Sequence, residues 1–146
     1  MSEIRPATAD DLHRCRRIQS AALTDPWSGL LTSALEGEAV FLVVVDGEPI
    51  GYALALAAPD APAYVPEFAV APDRQSEGHG TRLMTGLLEQ LATAGHGVIR
   101  LTVRADDDRA RAFYRAHGFE LVERRPDHYE NADGLLLERR LDDLAG

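Results

Sequence analysis

Residues 68–91 read FAVAPDRQSEGHGTRLMTGLLEQL. The apolar run Phe68-Ala69-Val70-Ala71 stops at Pro72, and a polar turn holding Gly78 and Gly80 follows. Leu83, Met84, Leu87, Leu88 and Leu91 then recur at spacings of three and four. That order predicts strand, loop and helix, with one helix face buried. The helix starts near Gly80, where the first helical N–H groups lack intrahelical partners and the positive dipole end points outward. Gly78 and Gly80 leave the backbone bare of Cβ atoms at that spot, a combination that suits phosphate oxygens. Two familiar phosphate loops are excluded. Gly78-His79-Gly80-Thr81-Arg82-Leu83 lacks the third glycine of the dinucleotide fingerprint, and a chain with no lysine has no Gly-Lys-Ser/Thr triplet.

Working outward, residues 64–71 form the strand that feeds this loop, behind a Pro/Ala/Asp loop at 57–62. Residues 39–45 and 49–58 are rich in strand formers, and Asp46-Gly47 between them predicts a β-hairpin. Ile4-Arg5-Pro6 is a short strand, and Thr8 with Asp11 predicts a capping box opening a helix to about residue 23, with Leu12, Cys15, Ile18 and Ala22 on one face. Thr24-Asp25-Pro26-Trp27-Ser28 breaks that helix, and a second short one runs to about Glu36. Downstream, residues 98–104 alternate as a strand, and Asp106-Asp107-Asp108 opens a helix that Gly118 ends. Residues 119–125 and 135–141 are two final strands, joined by a loop containing Asp127, His128 and Tyr129. This order predicts an α/β fold: one domain over residues 1–146, with a mixed central sheet of about seven strands flanked by about four helices.

Composition narrows the function. At 146 residues and 45% hydrophobic content the chain can bury one real core. No apolar run of membrane-spanning length and no signal-peptide pattern is present, so a soluble, cytoplasmic protein without a membrane partner is expected. A net charge of −9 argues against nucleic acid as a partner and favours a cationic substrate. The single Cys15 excludes an internal disulfide and reads as a packing residue. The five histidines show no ligand spacing with acidic residues, so no metal site is expected.

Gln75-x-x-Gly78-x-Gly80 after Val70-x-Pro72 resembles the acyl-CoA signature of the GNAT N-acyltransferases. Asp107-x-x-Ala110-x-x-Phe113-Tyr114-x-x-x-Gly118-Phe119 resembles that family's second signature, in order and at the family's distance. The resemblance implies acetyl-CoA as co-substrate. It places Phe68, Ala69, Val70, Gln75, Ser76, Glu77, Gly78, His79, Gly80, Thr81, Asp107, Ala110 and Phe113 at the coenzyme. Three positions depart from the family: Asp107 replaces the usual asparagine, while Ser76 and Glu77 replace the commoner glycine and basic residue beside the diphosphate. Arg74 and Arg82 are candidate sources of the missing positive charge, and solvated surface residues read the same way.

The implied chemistry is direct attack of an amine on the thioester in a ternary complex. An α-amino group of pKa about 8 must lose its proton, an oxyanion needs a donor, and a thiolate of pKa about 8.5 must be protonated on leaving. The resemblance puts Tyr114 in the role of acid and a backbone N–H near Val70 at the oxyanion. Glu67 is the only acidic residue between Pro62 and Ala71 and is the candidate base, with a solvent-facing strand residue as the competing reading. The Tyr64 hydroxyl acting through water is an alternative.

Asp25-Pro26-Trp27-Ser28, Leu101-Thr102-Val103-Arg104-Ala105 and Arg124-Arg125-Pro126-Asp127-His128-Tyr129 resemble the ribosomal-protein alanine N-acetyltransferase (RimI-like) branch, in which a final hairpin covers the peptide N-terminus. That implies a substrate contact from Tyr129, and Tyr64 and His128 are further candidates for the acceptor side. Thr102 stands where the branch typically carries glutamate. Three readings therefore stay open: an enzyme acting on a protein N-terminus, one acting on a small amine or polyamine, and a coenzyme A-binding module without catalysis. Monomer and homodimer are equally compatible.

Overall fold

The computed structural model describes residues 2–23, 26, 29–37, 39–58 and 60–144. Seven strands form one sheet in the order β1-β2-β3-β4-β5-β7-β6. They are β1 (Glu3–Pro6), β2 (Val40–Asp46), β3 (Glu48–Leu56), β4 (Ala63–Val70), β5 (Val98–Arg104), β6 (Glu120–Tyr129) and β7 (Ala132–Arg140). Four helices accompany them: α1 (Leu12–Ala22), α2 (Leu30–Glu36), α3 (His79–Thr93) and α4 (Asp108–Ala116). Every neighbouring pair is antiparallel except β4 with β5, which α3 connects. The α/β class and the mixed seven-stranded sheet follow the expectation from sequence.

Each face of the sheet carries its own core. On one, Leu83, Met84, Leu87, Leu88 and Leu91 of α3 pack with Leu42, Val44, Ile99, Leu101 and Leu137 of the sheet. Burying such a side chain contributes roughly 2 kcal/mol, so this stripe holds α3 in place without help from its glycine-rich start. On the other, Cys15 and Ile18 of α1 and Leu31 of α2 meet Phe41, Tyr52 and Leu54. Cys15 is fully buried, and that burial pushes its thiol up to about 12, which leaves it inert packing.

Asp11 anchors the start of α1. Its carboxylate accepts from the Thr8 N–H at 2.8 Å and from both Arg5 guanidinium nitrogens at 2.8 and 2.9 Å, while its own N–H donates to the Thr8 carbonyl at 3.0 Å. A single turn of 3-10 helix, Ala9–Asp11, precedes α1 proper. Of the segment read as a break between α1 and α2, residues 24, 25, 27 and 28 lie outside the described residues.

One expectation needs correction, and one reading left open by the sequence is decided. His128 and Tyr129 lie on β6 rather than in a loop, and Tyr129 pairs with Ala132. The strand survives there because a bulge between Arg125 and Tyr129 places Asp127 at φ +53°, and the Asp133 carboxylate accepts from the Asp127 N–H at 2.9 Å and from Arg124 at 2.8 Å. The open reading concerns Glu67 on β4. From Tyr64 to Glu67 it advances three residues while its partner β3 advances two, from Leu56 to Leu54. This bulge breaks simple alternation: Ala63 and Val65 join the α3 core, Ala69 joins the α1 core, and Glu67 turns inward toward α1 instead of facing solvent.

Candidate active site

The parallel ladder between β4 and β5 ends at Val65↔Leu101. Beyond it β4 continues along β3 to Val70 and β5 along β7 to Arg104, so the sheet opens into a wedge between them. The Ala71 N–H is taken by the Ile50 carbonyl at 2.8 Å. Alternation along the strand therefore turns the Val70 N–H toward the open side, where the Val70 carbonyl accepts from Gln75 Nε2 at 3.0 Å.

Two cavities fill the wedge. The first, of about 620 Å³, is walled by Phe68, Ala69 and Val70 of β4, by Gln75, Ser76, Gly78, Gly80 and Thr81 of the loop and helix start, and by Asp107, Ala110, Phe113 and Tyr114 of α4. Gly78 caps α3 at φ +89°, and a Cβ on Gly80 would meet the Phe113 ring at 3.3 Å. The backbone is thus bare where the unpaired amides of α3 begin, and a diphosphate fits this cradle. The Asp107 side chain accepts from the Ala110 N–H at 3.0 Å and caps α4, a task its asparagine counterpart would perform equally well.

Glu77 and His79 do not line this cavity. Glu77 Oε1 receives Arg74 Nε at 3.0 Å and lies 2.9 Å from His79 Nε2, while Arg74 also reaches Asp46 at 2.6 Å. The Arg74 guanidinium holds both carboxyls below their usual range, with His79 assisting at Glu77. His79 itself is buried, and its Nδ1 has no hydrogen-bond partner among the described residues. The carboxylate expected to repel phosphate is therefore neutralised beside the cradle, and Arg74 is committed to that task.

The second cavity, of about 170 Å³, is bounded by Val65, Pro66 and Glu67 of β4, Thr102, Val103 and Arg104 of β5, and Tyr129 of β6. Phe68, Asp107 and Tyr114 line both cavities, so the two meet there. Glu67 is 5% exposed, and its Oε1 accepts from Gln19 Nε2 and from the Tyr52 hydroxyl, both at 2.8 Å. The Tyr114 ring packs edge-on against Phe68, Phe113 and Phe119, and its hydroxyl makes no hydrogen bond to any described residue. Burial, reinforced by the nearby charge of Asp107, raises its pKa, so it stays protonated at neutral pH.

Thr102 gathers the expected acceptor-side residues. Tyr64 donates its hydroxyl to Thr102 Oγ1 at 2.9 Å, and Tyr129 donates to the Thr102 carbonyl at 3.3 Å, with the Arg104 guanidinium 5.4 Å from the Tyr129 ring centre. His128 lies across Gly134 and against Tyr129, outside both cavity walls. Sequence reasoning missed Gln19 and Tyr52, which hold Glu67, and Ala22 and Leu23, which close both cavities from α1. It also missed Arg109 on the wall of the first. Among the described residues no group of His, Cys, Asp or Glu is arranged to hold a metal ion.

Residues 6–119 match the profile of the Acetyltransferase (GNAT) family. The ribosomal protein bS18-alanine N-acetyltransferase of Escherichia coli (strain K12) is 29% identical over 136 residues, covering 92% of this chain and 91% of that protein. The crystal structure of the ribosomal-protein-S18-alanine N-acetyltransferase from Escherichia coli aligns with a TM-score of 0.88 at 26% identity, over 97% of this chain and 94% of that one. That of Ard1 from Thermoplasma volcanium aligns with a TM-score of 0.86 at 25% identity, over 95% and 97%. With a split sheet, a bare-backbone cradle and a match of this extent, the chain belongs to the acetyltransferase (GNAT) family and is an acetyl-CoA-dependent N-acetyltransferase similar to the ribosomal-protein alanine branch.

Proposed function

We propose that the acceptor is the α-amino group of a protein or peptide N-terminus, entering the second cavity beneath the β6–β7 hairpin in a cytoplasmic setting. The observation carrying this reading is that Glu67 and Tyr114 share one small cavity whose outer wall is the hairpin residue Tyr129. The bS18-alanine acetyltransferase named above supports it as a relative over nearly the whole chain.

In this reading the first cavity holds coenzyme A, which supplies the activated acetyl group as a thioester. Glu67, fixed by Gln19 and Tyr52, takes the proton of the incoming ammonium directly or through one water. The Val70 N–H, turned into the wedge, is placed to donate to developing negative charge on the carbonyl oxygen. Tyr114 returns a proton to the departing sulfur. The raised pKa keeps the phenol protonated at neutral pH, so it has a proton to give. Tyr64 and Tyr129 shape the acceptor side through Thr102.

Thiol release from acetyl-CoA, measured with Ala- and Ser-starting peptides, with spermidine and with no acceptor, tests the proposal. Peptide-dependent turnover well above the other two arms is expected. Faster turnover with spermidine assigns the cavity to small amines and overturns the peptide reading. Coenzyme A binding without turnover in any arm overturns both.

A further inference from the structure

We propose that Arg109 is the cation that anchors the coenzyme's phosphates, so that this chain supplies from α4 a charge that its glycine loop does not. The inference rests on the first cavity being the coenzyme site.

The loop's own cation is already committed. Arg74 is bound to Glu77 at 3.0 Å and to Asp46 at 2.6 Å, and it is not part of the cavity wall. Arg82 is exposed and likewise outside the wall. Among the described residues lining the cavity, Arg109 is the only basic one. It sits in the first turn of α4 and reaches across the cavity mouth to donate from Nη2 to Ser76 Oγ at 2.8 Å.

Ser76 makes this contact from an unfavourable backbone. Its φ is +68°, the left-handed region that glycine enters freely and serine does not. Strain of this kind persists where the side chain does something glycine cannot. Here the hydroxyl holds the guanidinium over the cradle formed by Gly78, Gly80 and the amides of the α3 start. One hydroxyl occupies one of the five donors of a guanidinium, which leaves the planar fork able to bind phosphate oxygens. Ser76 is therefore a positioning residue and Arg109 a binding residue.

The geometry also accounts for Glu77. A carboxylate next to the cradle is tolerable when it is neutralised from one side by Arg74 and when the attractive charge comes from the opposite wall. Loop and helix α4 divide the task, the former giving neutral amides and the latter the charge.

The test is calorimetric titration of wild type, R109Q, S76G and R74Q with coenzyme A and with pantetheine, which lacks the phosphates, at low and moderate salt. R109Q is expected to bind coenzyme A roughly ten-fold or more weakly, with a shallower salt dependence and unchanged pantetheine affinity. S76G is expected to lose several-fold in coenzyme A affinity without losing thermal stability, since the strain is relieved as the clasp is lost. R74Q should lower thermal stability and change coenzyme A affinity less than R109Q does. An R109Q affinity within two-fold of wild type, an equal loss toward pantetheine, or tighter binding by S76G overturns the assignment. A wild type that binds coenzyme A while R109Q binds equally refutes only this inference. A wild type that binds no coenzyme A refutes the site itself.

Discussion

Replacing Glu67 with Gln tests the base most directly, because the structure separates its chemical role from its packing role. The carboxylate is buried and its Oε1 receives two neutral donors, Gln19 Nε2 and the Tyr52 hydroxyl, each at 2.8 Å. A Gln side chain is nearly the same size and its carbonyl can accept both. The hydrogen bonds change from charge-assisted to neutral, worth about 1 kcal/mol each, so about 2 kcal/mol at most is lost. Part of that returns because a neutral amide is less costly to bury than a carboxylate. For a chain of this length the melting temperature should fall by no more than roughly 4–8 °C. Turnover should fall about 10²- to 10⁴-fold, the usual worth of a positioned base, while coenzyme A affinity stays near wild type because Glu67 does not line the first cavity. Steady-state thiol release, isothermal titration with coenzyme A and a thermal melt on the same preparations supply the three readouts. A folded E67Q protein with wild-type turnover refutes Glu67 as the base. The alanine variant is a poorer test, since it would leave the Tyr52 hydroxyl and Gln19 amide buried without their acceptor.

Tyr114→Phe retains the ring that packs on Phe68, Phe113 and Phe119 and removes only the hydroxyl, so kcat should drop 10-fold or more with coenzyme A affinity and melting temperature nearly unchanged; an unaltered kcat removes the acid assignment. Gly78→Ala meets no neighbour within 4 Å but must adopt φ +89°, so it should cost about 1–2 kcal/mol of stability from strain alone, measurable by denaturant titration. Asp11→Asn should cost about 1–2 kcal/mol at neutral pH, discounted because Arg5 is partly exposed. Arg5, then the Thr8 N–H, hold the Asp11 carboxyl below the usual carboxylate range, so its contribution is present above about pH 4 and is lost as pH falls through the lower folded value. The stability difference between wild type and D11N should therefore vanish in acid, and a difference that persists at pH 2 refutes the linkage.

What the sequence disclosed and what it withheld divide along the distance over which each signal acts. The α3 stripe, the Asp46-Gly47 turn and the Thr8 to Asp11 cap are set by neighbours a few residues apart, and each appears in the structure where periodicity and turn chemistry put it. Gln75, Gly78 and Gly80 line the first cavity as the loop pattern groups them, whereas Glu77 and His79 of the same loop do not. Glu67 stands out in the sequence as a candidate base, but its orientation stays open there because it depends on one extra residue in β4 relative to β3, and a bulge leaves no trace in a single strand's alternation. Pro126 and Asp127 interrupt the local strand pattern ahead of His128 and Tyr129, and the Asp133 carboxylate that repairs the strand lies across the hairpin, beyond the reach of local pattern. Arg109 carries no pattern of its own; only the approach of α4 to the loop gives it Ser76 as a neighbour.

The neutral residue at 102 follows from where the carboxylate sits. Glu67 and Thr102 wall the same cavity of about 170 Å³ from opposite strands. A glutamate at 102 would set two carboxylates across that small volume, and like charges at such range keep one of the pair protonated. With threonine there, Glu67 has no second carboxylate opposite it on β5, the threonine hydroxyl accepts from Tyr64, and the backbone carbonyl of residue 102 accepts from Tyr129. The bulge that turns Glu67 toward α1, and the donors on Tyr52 and Gln19 that receive it, put the carboxylate proposed as base on β4 rather than on β5. In the proposed mechanism β4 supplies the base through Glu67, and β5 supplies through Thr102 the acceptors that hold Tyr64 and Tyr129.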